Sequence, residues 1–165
     1  MIFNHRVRHN LFSTKYGADY QAYSGPVVRP HVDFAPVHAP QFVKKLRPQT
    51  HEDYKNKRWQ VINFWRPLST VLRDPLAVAD ARTVPESDEL LHVAYENTPH
   101  QTESYLTQAG APGAHQWYYY SEQKADEVLA FKIYDSAPRH ADARMVPHTS
   151  FRGVEIGRAS CRERV

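Results

Sequence analysis

Trp59-Gln60-Val61-Ile62-Asn63-Phe64-Trp65-Arg66-Pro67 is the stretch on which the fold turns. β-branched and aromatic residues dominate it, and the Arg-Pro step stops it, because a proline cannot donate to a ladder. It predicts a strand central to its sheet. Two further runs share this character: His115-Gln116-Trp117-Tyr118-Tyr119-Tyr120 and Val128-Leu129-Ala130-Phe131-Lys132-Ile133-Tyr134. The polar residues 121–126 between them predict a hairpin. Upstream, Pro26-Val27-Val28-Arg29-Pro30-His31-Val32-Asp33-Phe34 reads as an extended segment whose two prolines predict an edge strand or strand entry. Residues 11–25 read as loop, 35–40 as a Pro-punctuated connection, and 41–57 as helix-forming polar sequence broken at Pro48. Residues 74–80 and 90–96 complete the set of short strands. Many short strands with little helix predict a mainly β fold with some α, a sandwich or barrel.

Composition agrees with a folded domain. Of 165 residues 41% are hydrophobic and 12% aromatic, more aromatic than a disordered chain carries. The formal charge is +3, but the basic residues are spread along the chain, so no nucleic-acid-binding stripe is predicted. No segment reads as a membrane span, and Met1-Ile2-Phe3-Asn4 runs at once into His5 and Arg6 without the apolar core of a signal peptide. A cytoplasmic protein is the expectation. Glu155-Ile156-Gly157-Arg158-Ala159-Ser160-Cys161-Arg162-Glu163-Arg164-Val165 resembles the in-frame translation of a sequencing adapter, so residues 155–165 are expected to be a disordered artefact. Without them the charge is +2 and the only cysteine, Cys161, is gone, which removes disulfides and cysteine-based zinc sites from consideration.

The candidate chemistry lies in His31-Val32-Asp33 and His148. Two imidazoles and one carboxylate are the ligand set of a mononuclear non-heme Fe(II) site. On a strand, positions i and i+2 share a face, so His31 and Asp33 can grip one ion. The pattern is cheap on its own: this composition yields roughly half an H-x-D per chain by chance, and a surface His beside a solvated Asp is the bland alternative. His148 completes the set only if the fold brings it to His31.

Six segments together are more specific. They are Pro30-His31-Val32-Asp33; Trp59 to Leu68; Asp74-Pro75-Leu76-Ala77-Val78-Ala79-Asp80 continuing to Val84; His115-Gln116-Trp117-Tyr118-Tyr119; Glu127 to Ser136; and Arg144-Met145-Val146-Pro147-His148-Thr149-Ser150-Phe151. In order and spacing they resemble the successive signatures of the fungal AsaB-type hydroxylase/desaturase family, related to the cephamycin methoxylase component and gibberellin desaturase. Even Met1 to Arg8 resembles an internal strand of those longer proteins, so the chain is expected to be a fragment covering their middle and later part.

The resemblance implies an incomplete double-stranded β-helix (jelly-roll or cupin-like) barrel over residues 1–154, with Fe(II) and 2-oxoglutarate as cofactors and a small-molecule substrate in fungal secondary metabolism. It implies His31, Asp33 and His148 as metal ligands, leaving three coordination positions, of which two suit a bidentate 2-oxo acid and one suits O2. The distal carboxylate of 2-oxoglutarate calls for an arginine. In the family that arginine is expected in a strand past His148, where this chain turns into the adapter-like tail. Arg66 and Arg144 also match family positions and are candidates for cofactor contact, although a structural role, Arg66 packing on Trp65 and Arg144 pairing with an acid, suits them better. Asn63 is a candidate to hydrogen-bond the co-substrate, or a satisfied polar plug. His115, Trp117 and Tyr119 could line a substrate pocket or belong to the core; the remaining histidines receive no role. A non-catalytic β-barrel is the competing reading for the whole chain.

Overall fold

The computed structural model describes residues 2, 7–8, 25–46, 48, 51–86, 90–94, 103–139, 144–152 and 163–164. The loop expected over 11–25 lies outside them but for Gly25. So does the adapter-like tail, except for Glu163–Arg164.

Nine strands and two helices are present among the described residues: β1 (His31–Val32), α1 (His38–Leu46), α2 (His51–Tyr54), β2 (Gln60–Trp65), β3 (Leu76–Ala79), β4 (Leu90–Ala94), β5 (Glu103–Thr107), β6 (Trp117–Tyr119), β7 (Leu129–Asp135), β8 (His148–Ser150) and β9 (Glu163–Arg164). Seven strands form one sheet in the order β4-β5-β1-β8-β3-β6-β9, and β2 pairs with β7 in a separate ribbon; every pairing is antiparallel. The ribbon closes over the large sheet. Their shared core holds Phe34, Val61, Phe131, Ile133 and Tyr134, with Leu76, Val78 and Val146 packed against it. This is the mainly β, cupin-like sandwich that the short strands predicted.

Three local expectations are corrected. The segment at residues 59–65 is not central: β2 has β7 as its partner among the described residues, and Phe64 on its outer face is 75% exposed. The expected hairpin does not form, since β6 pairs with β3 and β9 while β7 pairs with β2. Between them the chain turns on itself, with Lys124 N–H donating to the Glu127 carboxylate and Glu127 N–H to the Lys124 carbonyl, and crosses from one sheet to the other. β1 is not an edge strand either, for it lies between β5 and β8. The prolines are tolerated because they fall outside the two-residue ladder, where only carbonyls are used: Pro30 accepts from Thr107 N–H and Val27 from Ser150 N–H.

A bulge decides how the ribbon faces the sheet. The β2–β7 register shifts between Val61 and Ile62, so Tyr134 and then Phe131 come opposite Val61 and Asn63. The extra residue on β7 lets Phe131, Ile133 and Tyr134 all turn into the core. At the far end of this ribbon Asp135, fully buried, is held by Arg58 in a two-pronged pair at 3.0 and 2.6 Å, by Gln60 at 2.8 Å, by Lys132 at 3.0 Å and by the Ala137 N–H at 3.1 Å. These donors hold its carboxyl far below the usual carboxylate range, Arg58 foremost, despite burial.

Candidate metal centre

β1 and β8 are neighbours, and His31 and His148 stand directly opposite one another in their ladder. Opposite residues in an antiparallel pair share a face, so both imidazoles point toward the ribbon, with ring centroids 4.4 Å apart. Asp33, two residues on from His31, follows the same face. His31, Asp33 and His148 each offer a ligand atom within 4.8 Å of the others. Nε2 of His31 lies 3.5 Å from Oδ1 of Asp33, and Nε2 of His148 lies 3.6 Å from Oδ2. Those separations exceed a good N–H···O bond. They approach the roughly 3 Å between adjacent ligands of an ion held at about 2.1 Å.

The other ring nitrogens are spoken for. Nδ1 of His31 is 2.8 Å from the Arg29 carbonyl, and Nδ1 of His148 is 3.2 Å from the Val146 carbonyl. A carbonyl only accepts, so each Nδ1 carries a proton and each Nε2 is the nitrogen turned to the cluster. This is the outer-sphere arrangement that orients metal-binding histidines. Protonation also favours an ion. Burial pushes His148 below the ordinary histidine value, against the pull of Asp33, which keeps the imidazole neutral. Burial alone would raise Asp33, but the His31 and His148 rings and the Asn63 amide outweigh it and hold the carboxyl at about 2. An ionised carboxylate, with an imidazole whose charged form burial disfavours, suits a divalent first-row metal.

Asn63 reaches the cluster from the opposite sheet. Its side-chain nitrogen donates to Oδ2 of Asp33 at 2.7 Å. The arginines do not join it in the same way. Arg66 sits one residue past β2, exposed, in phase with exposed Phe64. Arg144 is half-buried, and its charge acts on the Tyr134 hydroxyl.

Residues that sequence inspection passed over lie closer. Phe131 packs its ring 4.7 Å from that of His148. Leu106 is in register with His31, and Val78 with both His148 and Tyr118, so Leu106, Val78 and Tyr118 lie on the cluster's face of the large sheet. Trp117 and Tyr119 therefore face away, and Tyr119 meets Phe151 edge-on there. Of the two readings open for that stripe, a pocket wall has the wrong phase at Trp117 and Tyr119, as the register with β3 reveals.

An antiparallel β-sandwich presenting two histidines and one carboxylate to a common point defines a 2-His-1-carboxylate protein. The chain belongs to the family whose model is described as "YDMC: Oxidoreductase/YMDC permease-like domain", which matches residues 1–164. It is 36% identical over 156 residues to alpha-ketoglutarate-dependent dioxygenase phiK of a fungal species, covering 92% of this chain and 55% of that protein. With hydroxylase/desaturase asaB of Aspergillus flavus it shares 38% identity over 120 residues, covering 62% of this chain and 52% of that one. The structure is similar to the iron and alpha-ketoglutarate-dependent endoperoxidase NvfI, with a TM-score of 0.75 and 26% identity over 90% of this chain and 53% of that chain. The chain spans about half the length of the curated relatives it matches.

Proposed function

We propose that this chain carries the metal centre of an Fe(II)/2-oxoglutarate-dependent oxygenase that hydroxylates or desaturates a small organic molecule in fungal secondary metabolism. The observation that carries this reading is the convergence of His31, Asp33 and His148 within 4.8 Å, with both Nε2 atoms free of the backbone hydrogen bonds that occupy Nδ1. The relatives' names supply the cofactor pair: phiK is named for alpha-ketoglutarate, and NvfI for iron and alpha-ketoglutarate.

Fe(II) bound there, with 2-oxoglutarate and O2, supplies the oxidising power for C–H chemistry. This chain's residues bind and orient. His31, Asp33 and His148 would hold the ion, Phe131 shields His148 on the ribbon side, and Leu106, Val78 and Tyr118 offer an apolar and phenolic surface beside the cluster. Arg66 and Arg144 stay candidates for the co-substrate carboxylate. Residues 1–154 are assigned to the oxygenase-like domain and 155–165 to a foreign tail. The substrate is a small molecule, with no nucleic acid or membrane partner, and the setting is cytoplasmic. Among the described residues no helix is long and apolar enough to cross a membrane.

Anaerobic Fe(II) titration, followed by Fe(II)-dependent release of CO2 from 2-oxoglutarate, tests the reading. Iron binding by this chain, and CO2 release by the full-length protein to which it corresponds, are expected, both abolished in Asp33→Ala. A wild type that takes up no iron overturns the proposal and leaves the non-catalytic β-barrel.

A further inference from the structure

Asp33 is the least constrained of the three candidate ligands. β1 ends at Val32, and the next ladder-like contact is the Ala35 N–H on the Glu103 carbonyl, so Asp33 sits where the chain has left the sheet. Both histidines have a backbone carbonyl behind the ring; a carboxylate has no such second handle. Its orientation depends on what its own oxygens meet.

What they meet is Asn63. An ionised carboxylate only accepts, so the Asn63 atom 2.7 Å from Oδ2 is the amide nitrogen. Asn63 is itself fixed, in mid-strand on β2, opposite Phe131 of β7. Phe131 in turn packs on His148. One cross-strand pair of the ribbon thus touches two of the three ligands, one member by a hydrogen bond and the other by a ring. We infer that Asn63 is a positioning residue: by donating to Oδ2 it holds the Asp33 carboxylate turned toward the Nε2 atoms of His31 and His148. This role is distinct from the co-substrate contact for which the sequence makes Asn63 a candidate, and it rests on the metal-centre reading above.

Co(II) binding to the 165-residue chain, followed by visible absorption, tests the inference without turnover. Asn63→Leu keeps the volume and removes the donor; Asn63→Ala serves where the leucine is not accommodated. The expected result is affinity weakened by about 10–100-fold, an altered Co(II) ligand-field spectrum and a melting temperature close to wild type. Phe64→Ser, on the outer face of the same strand, keeps wild-type affinity and spectrum. Unchanged affinity and spectrum in a folded Asn63 variant overturn the inference while leaving the metal centre standing. A wild type that takes up no Co(II) overturns both.

Discussion

His31 and His148 are direct cross-strand partners of β1 and β8, with ring centroids 4.4 Å apart, although they lie near opposite ends of the chain. The ladder that joins them is also what builds the site, so loss of either ring leaves the strands paired and empties one ligand position. His31→Ala and His148→Ala are expected to fold and to lose metal affinity by more than the roughly 100-fold that an outer-sphere partner costs. Isothermal titration with Co(II), beside a thermal melt, reads both.

Asp135 is the buried charge that holds the β2–β7 ribbon together. Removing it leaves the partly buried Lys132 ammonium and the Ala137 N–H without their acceptor, while Arg58 turns to solvent. Asp135→Ala is expected to lower stability by about 1–3 kcal/mol, measured by urea unfolding. A loss below about 1 kcal/mol, the range of an exposed pair, contradicts this account.

His38 opens α1, is buried, and packs against the touching pair Phe34 and Phe42. Burial lowers its pKa from 6.5, with Lys45 in the same direction and Glu103 opposing. The folded state therefore binds fewer protons than the unfolded one. Its contribution is fully present above pH 6.5 and is lost as pH falls below it, by at most about 1.4 kcal/mol per pH unit. Urea unfolding of the metal-free chain at pH 8 and pH 5 is expected to show this loss, and His38→Leu to reduce it.

Phe64, Leu68 and Leu72 are each more than 70% exposed on or beside the ribbon. Apolar surface of this kind promotes self-association. Phe64→Lys is expected to cut light scattering on concentration while shifting stability by no more than about 0.5 kcal/mol. Equal scattering from both proteins places the association elsewhere.

Two residues of the adapter-like tail pair with β6 as β9, at the end of the sheet order and remote from the cluster. A chain ending at Val154 is expected to bind Co(II) as the 165-residue chain does. A tenfold loss assigns the tail a part in the fold.

Much of this protein was legible as sequence because the signals are local. Strand character at residues 59–65 and 128–134, the helix break at Pro48, and the shared face of His31 and Asp33 follow from side-chain shape, proline chemistry and the two-residue period of a strand. What tertiary structure alone decided is who pairs with whom. The two strongest strand sequences are partners of each other, not the ends of a hairpin, and one bulge sets Asn63 against Asp33 and Phe131 against His148. In the same way the phase of Tyr118 over Trp117 and Tyr119 comes from its register with Val78. Pairing and register are settled by burial summed over contacts distant along the chain, and no window of residues contains that sum.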